Sequence, residues 1–334
     1  MAIIFLSGTC NGAFALPMKF SRAWRWENTW LVFTFLSLAV LPLALAARFV
    51  PDLAEVYRSV PTRALFWPLF FGLVWGIAQT TYGVSIRMVG IGLAIAVVAG
   101  LSCLFGSLIP LLVFNPADLL RPRGILLLVS IPILLWGLVL YGKAGRQREK
   151  EQGSPNPGDS AARQSFKAGL FICIFTGIFG PSFNFGFAFS GDLIRRSLDL
   201  GANAVTSTYS VWPLVLGAGL IPNLAYCFFL LARGRGWHLY TQRGSAREML
   251  LAAAMAAVWL AGIVSYGVGA TWVGKYGTSV GFALFIAATI LSSNLVGIFT
   301  GEWKNTSGGT RKLLAGAVAV TLISVVVLNL GGIF

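Results

Sequence analysis

The chain has 334 residues, 57% of them hydrophobic and only 11% charged, with a mean hydropathy of +0.79. A soluble domain devotes about 25% of its residues to charge, so this chain lacks the polar surface of one and is expected to be an integral membrane protein. The net charge of +14 would point to nucleic acid in a soluble protein. Here the basic residues lie between apolar runs, as membrane topology signals do, and no nucleic-acid partner is expected.

Ten apolar runs approach the ~20 residues a helix needs to cross the hydrocarbon. They lie at approximately 2–18, 28–47, 64–86, 89–114, 124–142, 167–190, 204–232, 249–271, 276–300 and 312–333. The expected fold class is an all-α membrane protein with ten transmembrane helices. The first run is the most polar, with Ser7, Thr9, Cys10 and Asn11. It lacks the basic n-region of a signal peptide, and Lys19, Arg22 and Arg25 follow it. Lys and Arg number 17 in the odd-numbered connections and 8 in the even-numbered ones. The positive-inside rule therefore puts the odd connections in the cytoplasm and both termini outside.

The third run carries a segment, Trp75 to Gly90, whose pattern returns at an offset of 184. Trp75 recurs as Trp259, Tyr82 as Tyr266, Gly83 as Gly267, Val84 as Val268, Val89 as Val273 and Gly90 as Gly274. The copies end the third and eighth runs, five helices apart. An odd offset makes them enter the membrane from opposite sides, which is the plan of an inverted-topology repeat. The longest polar stretch, Gly145 to Ser165, contains Gly153-Ser-Pro-Asn-Pro-Gly158 and reads as a flexible linker. The expected organisation is a first five-helix repeat over 1–144, a cytoplasmic linker over 145–166 and a second five-helix repeat over 167–334. Gly72 and Gly76 would let helix backbones approach closely.

The four cysteines lie in apolar runs without CxxC spacing, and the single histidine, His238, sits in a basic loop. No metal, no cofactor and no His-based catalytic triad is expected, and with no clustered acid or base in any run, no enzyme. An acid within a span is costly, and none lies at mid-depth. Glu27, entering the second run, and Glu302, leaving the ninth, stand beside tryptophans near the apolar zone. They are the available proton-coupling carboxylates; the other reading makes each a helix-end residue in an aromatic belt.

The mid-depth polar groups are neutral: amides such as Asn11, Gln79, Asn184, Asn223 and Asn294, and hydroxyls such as Ser292 and Ser293. Rings accompany them, at Trp75, Tyr82, Tyr209, Trp212, Trp259 and Tyr266. Trp75 and Tyr82 are seven apart, so they share a helix face with Gln79 between them, and Trp259 with Tyr266 repeats the geometry. Amides and hydroxyls would replace the water lost by a neutral polyhydroxylated solute, and flat rings would cover its C–H faces. The candidate substrate-binding residues are Asn11, Trp75, Gln79, Tyr82, Asn184, Tyr209, Trp212, Trp259, Tyr266 and Asn294. Interhelical hydrogen bonding is the alternative role for the amides.

Three motifs add a resemblance. They are Trp24-Arg-Trp26-Glu27-Asn-Thr-Trp30, Phe71-Gly72-x2-Trp75-Gly76-x5-Tyr82-Gly83-x3-Arg87-x2-Gly90, and Glu302-Trp303-Lys304-Asn305. Together with the layout and length, they resemble the L-rhamnose/proton symporter family of the drug/metabolite transporter superfamily. The match is good through the fourth run, weak from the fifth to the eighth, and recovers at Glu302-Trp303. The resemblance implies a multi-pass carrier of the bacterial inner membrane. Such a carrier imports a 6-deoxyhexose with a proton, by alternating access of two inverted halves. A metabolite or drug exporter of the same superfamily, and a non-transporting membrane subunit, are the alternatives.

Overall fold

The computed structural model describes residues 1–89, 91–114, 116–152, 160–301 and 303–330. Among them all regular structure is helical, as lipid requires of any spanning backbone outside a closed barrel. The first half contributes α1 (Ala2–Ala13), α2 (Trp26–Phe35), α3 (Leu41–Phe49), α4 (Leu53–Ser59), α5 (Thr62–Val89), α6 (Ile91–Phe114) and α7 (Pro122–Glu151). The second contributes α8 (Ser160–Phe179), α9 (Ser182–Ala188), α10 (Gly191–Asp199), α11 (Trp212–Gly234), α12 (Ser245–Val273), α13 (Val280–Phe299) and α14 (Gly308–Leu330).

Eight stretches of the described residues are long and apolar enough to cross a membrane. They are Ala2–Phe20, Trp26–Phe49, Thr62–Tyr82, Gly124–Arg148, Lys167–Asp199, Thr206–Gly234, Ser245–Tyr276 and Val280–Phe299. Each falls on one of the ten expected runs. The remaining two runs, 89–114 and 312–333, fall on α6 and α14, helices of 24 and 23 residues.

Proline shapes two of these stretches. A π-turn at Leu36–Val40 joins α2 to α3 immediately ahead of Pro42. In regular helix the Pro42 ring would meet the carbonyl of Leu38, and a wider turn relieves that clash. In Lys167–Asp199, Pro181 cannot continue the bonding of α8. A new helix, α9, starts after it, with the Asn184 N–H donating to the Pro181 carbonyl at 2.8 Å. That break sets Asn184 deep in the bundle.

Glycine sets the closest approaches. A Cβ on Gly72 would stand 2.2 Å from the Val215 carbonyl oxygen, and one on Gly76 2.4 Å from that of Gly219. α5 and α11 therefore touch backbone to backbone. α1 packs on α12 and α13, and α8 packs on α5 and α6. α2 lies on α11 and α12, α7 joins α6 and α14, and α13 joins α6 and α14.

α7 continues to Glu151, through the first part of the segment expected to be a linker. Its end is held by α14. The Glu151 carboxylate accepts the Ser307 N–H at 2.8 Å and the hydroxyls of Ser307 and Thr310 at 2.6 and 2.7 Å. The Ser307 bonds, with that of Thr310, hold the Glu151 carboxyl below the usual carboxylate range. Arg148 lies 4.9 Å from the ring centre of Trp303, a cation–π contact. Residues 153–159, the centre of the expected linker, lie outside the described residues.

Candidate functional site

Two adjoining cavities, of about 490 and 200 Å³, lie where α1, α2, α5, α12 and α13 converge. Asn11, Trp75, Gln79, Tyr82 and Trp259 belong to both walls. The larger is within the size range of small-molecule pockets. It runs along α1 and α2 as far as Met18 and Trp26, with Ala15 exposed at its rim. The smaller ends on Phe183, Phe282 and Phe285. Among the described residues no charged side chain lines either one.

The α5 spacing explains half of this wall. Trp75, Gln79 and Tyr82 recur at steps of four and three, so one helix face carries all three to the cavity. Trp259 of α12 meets Trp75 there, the two indoles stacked with centroids 6.0 Å apart and 20° from parallel. The Gln79 amide and the Tyr82 hydroxyl make no hydrogen bond to a described residue, so their bonding capacity faces the cavity. The other polar groups are partly spent. Asn11 Nδ2 donates to Thr289 Oγ1 at 3.3 Å. Trp30 Nε1 donates to Asn223 Oδ1 at 3.3 Å, and Asn223 Nδ2 donates to the Gly219 carbonyl at 2.9 Å.

The remaining candidates lie elsewhere. Asn184 and Tyr266 are fully buried beyond the smaller cavity, with the Tyr266 hydroxyl donating to Asn184 Oδ1. Trp212 is fully buried against Phe187, at 5.1 Å between rings. Tyr209 packs edge-on against Phe49 at 6.2 Å. Asn294 Nδ2 donates to the Ile290 carbonyl of its own helix at 2.9 Å. Glu27, half-buried at the start of α2, faces Gly234 at the end of α11 and adjoins Trp26 of the cavity wall. Glu302 lies outside the described residues.

The larger cavity also uses residues that the sequence reading does not single out as ligands: Trp26, Trp30, Phe33 and Thr289. Trp26 and Trp30 stack at 5.0 Å and 17°. Their i, i+4 spacing, continued by Phe33, is the signal that places these rings on one face of α2.

Apolar helices around an uncharged cavity of solute size define a multi-pass membrane transport protein. The family described as L-rhamnose-proton symport protein (RhaT) matches residues 1–333, and the chain belongs to that family of sugar-proton symporters, which are transporters and not enzymes. The chain is 25% identical over 334 residues to the L-rhamnose-proton symporters of Pectobacterium atrosepticum and Shigella flexneri. The alignments cover 98% of this chain and 96% of each relative. The symporter of Klebsiella pneumoniae strain 342 is 24% identical over the same shares.

Proposed function

We propose that this protein imports a neutral monosaccharide, L-rhamnose or a close relative, together with a proton, by alternating access of two five-helix halves of opposite orientation. One observation carries the proposal: an uncharged cavity whose wall comes from both halves and is centred on the Trp75–Trp259 pair. Unspent amide and hydroxyl groups beside stacked indoles match a solute that has many hydroxyls and an apolar ring face. An organic anion would want a cationic partner there, and the cavity offers none among the described residues.

The inverted arrangement draws support from the packing. α1 lies on α12 and α13 as α8 lies on α5 and α6, and α2 lies on α12 as α11 lies on α5. Likewise α6 pairs with α7 as α13 pairs with α14. These pairings trade places when the halves are exchanged, in line with the offset of 184 between the repeated segments. The excess of Lys and Arg in odd connections supports a cytoplasmic side at the Lys19 end of α1 and termini on the other face. The cavity would then open inward. Glu27 and Glu302 are the candidate proton carriers.

The test is sugar-induced proton movement in proteoliposomes. External alkalinisation on adding L-rhamnose or another monosaccharide is the expected result. Sugar uptake without proton movement removes the coupling. Efflux of other solutes, with no sugar accumulation under an imposed proton gradient, favours an exporter instead.

A further inference from the structure

We propose that Tyr266 with Asn184, and Tyr82 with Asn11, are two latches that close the opposite mouths of the cavity in turn. The proposal rests on the alternating-access reading above and assigns that motion to named hydrogen bonds.

One latch is made in this structure. The Tyr266 hydroxyl donates to Asn184 Oδ1, while Asn184 Nδ2 donates to the carbonyls of Gly106 at 2.9 Å and Thr278 at 2.7 Å. The knot ties α9 and α12 to the α12–α13 connection, and through Gly106 to α6 of the other half. Tyr266 and Asn184 are both 0% exposed. Phe183 and Phe285 pack on the Tyr266 ring at 5.8 and 5.1 Å. This mouth is shut.

The second latch is unmade. Tyr82 is the counterpart of Tyr266 at the offset of 184. Asn11 lies on α1, which packs on α12 and α13 as the α8–α9 limb packs on α5 and α6. The correspondence extends to the bonds. Asn184 reaches Gly106 of α6, and Asn11 reaches Thr289 of α13 at 3.3 Å. Asn11 and Asn184 stand 173 residues apart, so they correspond by place in the helix packing and not by the offset of 184. Yet Tyr82 and Asn11 do not bond to each other; both face the cavity, which continues to Met18 and Trp26. A buried hydroxyl or amide is costly to leave unpaired. Making one pair as the other breaks keeps the two states close in free energy, which is what a bistable carrier needs.

Ala270 is the reporter. It lies one turn beyond Tyr266 on α12, is 2% exposed, and adjoins a shallow depression on the shut side. The experiment uses full-length Ala270→Cys in detergent, treated with a hydrophilic thiol reagent and read at residue 270 by mass spectrometry, apart from the native cysteines. Tyr266→Phe keeps the ring and should speed labelling about fivefold, the shift that one net hydrogen bond gives. Tyr82→Phe should slow it by a similar factor, and the double variant should return to the parental rate. Asn11→Ala should act like Tyr82→Phe, and these two carry the test alone if Tyr266→Phe is poorly folded. Shifts in the same direction, or none, in variants that stay monodisperse on size-exclusion chromatography overturn the latches. A parent that neither transports sugar nor changes its labelling when sugar is added overturns the alternating-access reading, and the latches with it.

Discussion

The indole of Trp75 lies on the indole of Trp259, 20° from parallel, at the centre of the cavity wall. Each comes from the same position in one copy of a segment repeated 184 residues apart. An aromatic pair of this kind is worth about 0.5–1.5 kcal/mol beyond its buried area, and both rings line the cavity. Trp259→Ala and Trp75→Ala should each raise the KM for sugar uptake about tenfold, equivalent to ~1.4 kcal/mol of binding. The Phe variants should lose less. Initial uptake rates in proteoliposomes measure this, and an unchanged KM in both Ala variants would remove the pair from the binding site.

The backbone contact at Gly76 predicts a stability effect. A side chain there must displace Gly219, and overpacking of this kind costs about 1–3 kcal/mol. Gly76→Val should lower the melting temperature in detergent. Gly316→Ala is the control, because nothing lies within 4 Å of a Cβ at that position. Equal melting of the two variants would contradict the close α5–α11 contact.

Glu27 is the described candidate for the coupled proton. Glu27→Gln should abolish accumulation of sugar against its gradient, and with it the sugar-induced alkalinisation. It should leave exchange of sugar across the membrane in place. Uphill accumulation by Glu27→Gln at the wild-type level would move the test to Glu302→Gln.

The clasp at the end of α7 predicts a pH dependence. The folded-state pKa of Glu151 is lowered by its bonds from Ser307 and Thr310, so at pH above the ordinary carboxylate range its stabilisation is fully present. As the pH falls through the ordinary value, the unfolded chain takes up the proton first, and the contribution declines until the folded carboxylate is itself protonated. The melting temperature of the wild type should therefore fall across that acid window more than that of Glu151→Gln. Parallel profiles would mean that the clasp contributes nothing to stability.

The helices were legible because lipid leaves a chain few options: about 20 apolar residues in a row must be helix or must not cross. The extension of α7 to Glu151 was not legible. Lys143 to Glu151 is rich in charge and reads as a loop, and the hydroxyls that hold its end come from Ser307 and Thr310, over 150 residues away. On the cavity wall, Trp75, Gln79 and Tyr82 followed from helical spacing, and Trp259 from the repeat. Tyr266 carries the same pattern but is fully buried and bonded to Asn184, away from the cavity wall. The spacing gives the helix face of a residue but not which neighbour covers it, and Phe183 and Phe285 cover Tyr266. Trp26 and Trp30 escaped because their motif speaks of a membrane interface until α2 is set against α11 and α12.

α7 has 30 residues and so measures about 45 Å, against a hydrocarbon layer of ~30 Å. It is longer than the layer it would cross, and the start of α14 is moored to its last turn by Glu151. The contact between α7 and α14 is made by side chains and needs no peptide link between them. Two polypeptides divided within residues 153–159 and co-expressed should therefore co-purify through the α7–α14 seam.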